Sequence, residues 1–231
     1  MKAIRLTMAQ ALTRYLARQM TEVEGKKVPI FAGVWAIFGH GNVAAIGEAL
    51  YQVRDELPTY RAHNEQAMAH AAIAFAKASF RRRMMAVTSS IGPGATNMVT
   101  AAAVAHVNRL PHLLLPGDVF ANRRPDPVLQ QIEDFGDGTV SANDCLRPVS
   151  RYFDRITRPE QIINALQRAM AVLTDPSAGR LRWRCARTFK RRLSTIRKAS
   201  SPSASGPCAA PVRRRTSSTP RSRRCARPTN P

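Results

Sequence analysis

Residues 84–97 read MMAVTSSIGPGATN, and the order of residue types in that stretch decides the fold. Apolar and β-branched side chains from Met84 to Ser89 predict a buried strand. Gly92, Pro93 and Gly94 then turn the chain, because glycine tolerates backbone angles that other residues avoid and proline cannot extend a strand ladder. The alanine-rich run ATNMVTAAAVAHV, residues 95–107, predicts a helix leaving that turn. Strand, glycine turn, helix is the repeating unit of a parallel sheet.

The same unit recurs on either side. Thr7 is a suitable N-cap for a helix over residues 7–20, with Ala11, Leu12, Tyr15 and Leu16 forming one apolar stripe. Residues 29–34 read as a short buried strand, and FGHGN, residues 38–42, as a glycine turn into a helix carrying Val43, Ile46 and Leu50. Glu65 opens a second alanine-rich helix, QAMAHAAIAFAKA. Leu113 begins a third strand, residues 118–144 are irregular, and residues 159–173 have the proline start and apolar spacing of a closing helix. The expected fold is α/β, a parallel sheet with helices on both faces.

Charge divides the chain in two. Its 36 Lys and Arg against 15 Asp and Glu give a formal net charge of +21. Residues 180–231 hold 16 of the basic side chains and no acidic one, so residues 1–179 are close to an ordinary balance. We therefore expect a domain over 1–179 and a basic, disordered tail over 180–231, since the tail's Arg, Ser, Pro and Ala show no apolar periodicity from which to build a core. Cys185, Cys208 and Cys225 lie in the tail without a CxxC pair, which fits neither a zinc site nor a disulfide framework. Cys145, alone in the body, reads as a reduced thiol. No apolar run approaches a membrane span, and the N-terminal residues lack the apolar core of a signal peptide, so a cytoplasmic location is expected.

Chemistry enters through pairs of motifs. A lone Glu at a helix start is usually a solvated charge, and a GPG turn is usually a plain connection whose free N–H groups could receive a polar ligand. Here HNE at residues 63–65 and SSIGPGATN at residues 89–97 occur together, with FGHGN before them and LPGDVF after. The set resembles the pyrimidine-binding domain shared by acetolactate synthase, pyruvate decarboxylase and other thiamine-diphosphate enzymes. Within that superfamily, GVWAIFGHGNVAAIGEAL and FGDGTVSANDCLRPVSRYFDRITRPEQI are most similar to the trihydroxycyclohexanedione hydrolases, which open a cyclic 1,2-diketone in myo-inositol breakdown.

The resemblance implies thiamine diphosphate and Mg²⁺ as cofactors and Glu65 as the carboxyl group that bonds pyrimidine N1′, with burial raising its proton affinity. It implies that Gly92, Pro93, Gly94 and Asn97 border the cofactor, and that His40, His63 and Gln131 line the substrate side. His70, His106 and His112 read as structural. GDG at residues 136–138 with Asn143 imitates the family's metal and diphosphate motif at far too short a spacing; no metal ligand is expected in this chain, because the true motif belongs to a C-terminal domain. The family forms each active site between subunits, which implies a homo-oligomer, a small-molecule substrate and half a site here.

Beyond residue 179 the family continues with a strand and linker, whereas this sequence departs abruptly. Codons chosen for residues 180–201, prefixed by one C and read in the neighbouring frame, give PVTLALCQDVQAEAFDYPESFF, a strand and linker of the family's kind. An out-of-frame tail is the expectation, and with it an inactive fragment. The rivals are an acetolactate synthase-like carboligase, a free pyrimidine domain with a separate partner, and a nucleic-acid-binding protein acting through its basic tail.

Overall fold

A computed structural model describes residues 3–122, 127–134 and 136–174, and the backbone of Trp183–Ala186 and Leu193–Arg197. The chain divides into units Met1–Ser201 and Pro202–Pro231, and every described element lies in the first.

Strand β1 (Ala3–Thr7) leads into helix α1 (Met8–Ala17) through a reciprocal cap. Thr7 Oγ1 accepts from Gln10 N at 3.2 Å, and Gln10 Oε1 accepts from Thr7 N at 2.9 Å. Helix α1 ends three residues before the expected 7–20 helix does. The cause is an antiparallel hairpin, β2 (Met20–Val23) and β3 (Lys26–Pro29), whose turn residues Glu24 and Gly25 both have positive φ. Such paired left-handed angles match the twist of a two-residue hairpin. Pro29 closes β3, so the strand expected at residues 29–34 becomes β4 (Phe31–Ala36).

After β4 come helix α2 (Gly39–Asn42), a π-helical turn at Val43–Gly47 and helix α3 (Glu48–Gln52). Strand β5 (Thr59–Tyr60), helix α4 (Glu65–Ala78) and strand β6 (Met84–Ser89) follow. The expected helix at residues 95–107 begins earlier and is broken into α5 (Pro93–Thr96) and α6 (Val99–Val107). Next are β7 (Leu113–Pro116), β8 (Tyr152–Arg155) and helix α7 (Ile162–Thr174), then β9 (Trp183–Ala186) and β10 (Leu193–Arg197).

The main sheet has the order β5-β4-β6-β7-β9-β8 with every pairing parallel, while β1 pairs antiparallel with β10. Alternation along the strands divides the core. Phe31, Val34, Met84, Ala86, Leu113 and Leu115 pack with Leu12 and Leu16 of α1, Leu50 of α3, and Leu166 and Met170 of α7. Met85, Val87 and Leu114 face the other way, onto Met68 and Ala72 of α4 and Ala101 and Ala105 of α6. Helices thus cover both faces, which is why the central strands read as continuous apolar runs.

Of the expected irregular tail, the two described segments are extended and paired. Strand β9 lies between β7 and β8, where both neighbours have backbone groups that need partners. The remainder of that expectation, the boundary after residue 179, Cys208 and Cys225 fall outside the described residues. None of the described helices is long and apolar enough to cross a membrane.

Candidate active site

The carboxyl ends of β4 and β6 deliver α2 and the GPG turn to one edge of the sheet, the edge where open α/β sheets place ligands. Glu65 is the first residue of α4. Asn64 caps that helix, its Oδ1 accepting from Ala67 N at 2.7 Å. The cap fixes where the helix starts and therefore where the partly buried Glu65 side chain emerges.

Asn97, just after α5, donates from Nδ2 to Glu65 Oε2 at 3.1 Å. Gly94 passes so close that a Cβ there would lie 2.8 Å from Glu65 Oε1 and collide with Ser90 Oγ. Gly92 has φ +60° and ψ −119°, a conformation for glycine, and a Cβ there would strike the Gln130 carbonyl oxygen. The turn thus lies between the Glu65 carboxylate on one side and the loop carrying Gln130 on the other. Pro93 is exposed at the start of α5.

The structure therefore brings Glu65, Gly94 and Asn97 into contact. His40 on α2 and His63, before the cap, are exposed, and neither side chain has a hydrogen bond among the described residues. Gln131 is partly buried, and its Oε1 accepts from Val128 N at 3.0 Å, a contact internal to its own loop. His70 and His106 lie on α4 and α6, and His112 is buried before β7. Among the described residues no group of three or more His, Cys, Asp or Glu could hold a metal ion.

Several supporting residues escape a sequence reading. Buried Asn42 donates to Ser89 O at 2.8 Å, tying α2 to the end of β6. Buried Asn143 donates to Gly117 O at 2.8 Å. Asp118, beyond β7, pairs with Arg155 of β8 at 2.6 Å and accepts from Ser141 Oγ at 3.2 Å. Glu133 Oε1 accepts from Ala142 N at 2.9 Å. Burial pushes the Asp118 carboxyl above its ordinary range, opposed by the charge of Arg155 and by hydrogen bonds from Val119 N, Arg155 and Ser141. Asn42 and Asp118 lie inside the motifs FGHGN and LPGDVF, but pattern alone cannot say that their side chains point inward.

A half-buried carboxylate facing a glycine turn at the carboxyl edge of a parallel sheet defines the class. Residues 32–137 match the family described as "Thiamine pyrophosphate enzyme, N-terminal TPP binding domain", and the parallel sheet covered by helices agrees with that match. Within that class it is similar to 3D-(3,5/4)-trihydroxycyclohexane-1,2-dione hydrolase of Geobacillus thermodenitrificans (strain NG80-2), at 56% identity over 177 residues. The corresponding proteins of Bacillus cereus (strain AH820) and Bacillus velezensis (strain DSM 23117 / BGSC 10A6 / LMG 26770 / FZB42) are each 54% identical, over 177 and 176 residues. These alignments cover 77%, 77% and 76% of this chain, and 28% of each relative's length.

Proposed function

We propose that this chain is the pyrimidine-binding part of a thiamine-diphosphate-dependent hydrolase that opens 3D-(3,5/4)-trihydroxycyclohexane-1,2-dione by C–C cleavage to a 5-deoxyhexuronic acid. The observation that carries the reading is the Glu65 carboxylate, which faces the Gly94 backbone and is held from one side by Asn97. The relatives' names supply the substrate.

The residues fit the cofactor. Gly94 lets the backbone lie against the carboxylate where a Cβ would collide, and Glu65 Oε1 has no hydrogen-bond partner among the described residues. Bound thiamine diphosphate would supply a nucleophilic carbon at C2 of its thiazolium ring. Glu65 would hold the proton at pyrimidine N1′, as a carboxyl group in hydrogen-bond reach of a ring nitrogen can. Gly92, Pro93 and Gly94 would bring backbone rather than side chain against the ring. His40 and His63, exposed on α2 and before α4, would be available to the substrate's hydroxyl groups, and Gln131 would act from its loop.

Magnesium belongs to the reading as the ion accompanying the diphosphate, with its ligands in the family's C-terminal domain. So does a homo-oligomer in which another subunit completes the site, and a cytoplasmic location. The basic tail has no evolved nucleic-acid role in this reading, and the chain alone does not turn over.

The test is a chimera in which residues 1–179 replace the matching segment of the Geobacillus hydrolase. Ring opening of the diketone is expected, with a loss of at least about 100-fold in Glu65→Gln. Condensation of pyruvate without ring opening would transfer the assignment to the carboligases.

A further inference from the structure

Asn97 does not merely border the site. We propose that it is a positioning residue for Glu65: it captures Oε2, and so dedicates Oε1 to the pyrimidine ring. The inference rests on the thiamine reading above and adds a division of labour between the two carboxylate oxygens.

The geometry assigns each atom one task. The Asn97 amide donates to Oε2 at 3.1 Å, and no other hydrogen bond to the Glu65 carboxylate is present among the described residues. Oε1 lies against Gly94, where a Cβ would come within 2.8 Å of it and force it to move. An untethered glutamate samples several rotamers, and ordering it on binding would weaken the ligand. Asn97 is well suited to impose that order before the ligand arrives. It lies at the end of the short helix α5, whose start is fixed by the Gly92–Pro93 turn, and its own N–H donates to Pro93 O at 2.9 Å. The GPG turn and the carboxylate are thereby one mechanical unit: displacing the turn displaces Asn97, and with it Glu65. A neutral amide donor favours the ionised carboxylate without adding a charge to the pocket, and this distinguishes asparagine from lysine or aspartate at this place.

The proposal is tested on the full 231-residue chain with thiamine as the probe. Thiamine carries the pyrimidine ring but no phosphate, so the arginine-rich tail cannot attract it through an anion. Affinity is measured by NMR titration for the wild type, Asn97→Ala, Glu65→Gln and the double variant. Asn97→Ala should weaken thiamine about tenfold, the effect of one hydrogen bond to a charged group. In the Glu65→Gln background the same change should have almost no further effect, because the group through which Asn97 acts has been altered. Equal losses in both backgrounds would overturn the proposal and leave Asn97 as a structural residue or a direct contact. Asn97→Asp keeps the volume and removes the donor, and should bind more weakly than Asn97→Ala through repulsion between carboxylates.

A second readout needs no ligand. The side-chain amide proton resonances of Asn97 should move as Glu65 is titrated with acid and stay fixed in Glu65→Gln; resonances that ignore Glu65 in the wild type would also overturn the tether. If they follow Glu65 while thiamine fails to bind at millimolar concentration, the tether stands and the cofactor reading fails.

Discussion

Arg155 Nε lies 2.6 Å from Asp118 Oδ2, and Arg155 Nη2 donates to Oδ1 at 3.0 Å, so one guanidinium grips both oxygens of one carboxylate. Asp118 follows β7 and Arg155 ends β8, the two strands on either side of β9. The pair therefore joins sheet positions that have no backbone hydrogen bond to each other. Asp118 has only 3% of its side chain exposed, against 27% for Arg155. Removing the carboxylate in Asp118→Ala leaves a partly buried cation without its partner, a change that costs about 3 kcal/mol, the lower end for a broken buried pair because water reaches Arg155. Urea denaturation of the chain checks this, and a loss below about 1 kcal/mol, the range of an exposed pair, would show the contact to be incidental.

Asp118 also gives a pH dependence of defined sign. Burial is the largest influence and raises its pKa above the ordinary 3.8, so the folded protein holds this proton more tightly than the unfolded chain. The resulting stability is fully present below about 3.8 and is lost as pH rises through the higher folded value. Relative to Asp118→Asn, the wild type should lose stability as the pH rises above 3.8 and through the higher folded value. Parallel stability curves for the two proteins would contradict the assignment.

Tyr152 reports on the same strand from the alkaline side. Burial, followed by its hydrogen bond to Asp154 Oδ2 at 2.9 Å, pushes its phenol up to about 12. The stability linked to that proton is present below the ordinary 10.0 and fades as pH rises through about 12. In a spectrophotometric titration, Tyr152→Phe should remove a tyrosine ionisation step near pH 12.

The central layer was legible because its signals are local. MMAVTS ends in a glycine turn, and an apolar run of that length bounded by glycine and proline admits few other readings; β6 occupies Met84–Ser89 as expected. Glu65 at the head of α4 was equally plain, since HNE supplies both the Asn64 cap and the charge that follows it. The hairpin was missed because Glu24 and Gly25 lack the Asn-Gly form that usually announces such a turn, and because polar β2 and β3 carry no buried face. Strands β5 and β8, of two and four residues, are too short to show a period. The contact from Asn97 to Glu65 spans 32 positions and depends on how far α5 rotates, which no spacing rule encodes.

Gly94→Ala tests the close approach at the site. The new methyl group would meet Ser90 Oγ and lie 2.8 Å from Glu65 Oε1, so either the turn or the carboxylate must shift. We expect a stability loss of about 1 to 3 kcal/mol, as for overpacking elsewhere, together with loss of the Asn97–Glu65 hydrogen bond. Gly94→Ala combined with Ser90→Ala should recover part of the stability, because one of the two collisions is removed. No recovery would place the strain at Glu65 alone.

Asn42 and Asn143 provide a comparison in which the carbonyl, rather than the asparagine, decides the outcome. Both are buried, and each donates at 2.8 Å to a carbonyl at the carboxyl edge of the sheet. The Ser89 carbonyl that Asn42 serves also accepts from Gly117 N at 3.0 Å, so it keeps a partner when Asn42 is truncated. Gly117 O has Asn143 as its hydrogen-bond donor, and loss of that donor strands a carbonyl beside a buried neighbour. An unsatisfied buried carbonyl costs more than a lost hydrogen bond whose acceptor stays paired. Asn42→Ala should therefore cost about 1 kcal/mol and Asn143→Ala about 2 to 3 kcal/mol. An opposing effect limits the second loss: Asn143 Oδ1 is itself buried without a partner among the described residues, so its truncation also relieves an existing penalty. Should thermal denaturation rank Asn42→Ala as the more damaging variant, the acceptor argument fails, and the hold of α2 on β6 would be the stronger of the two ties.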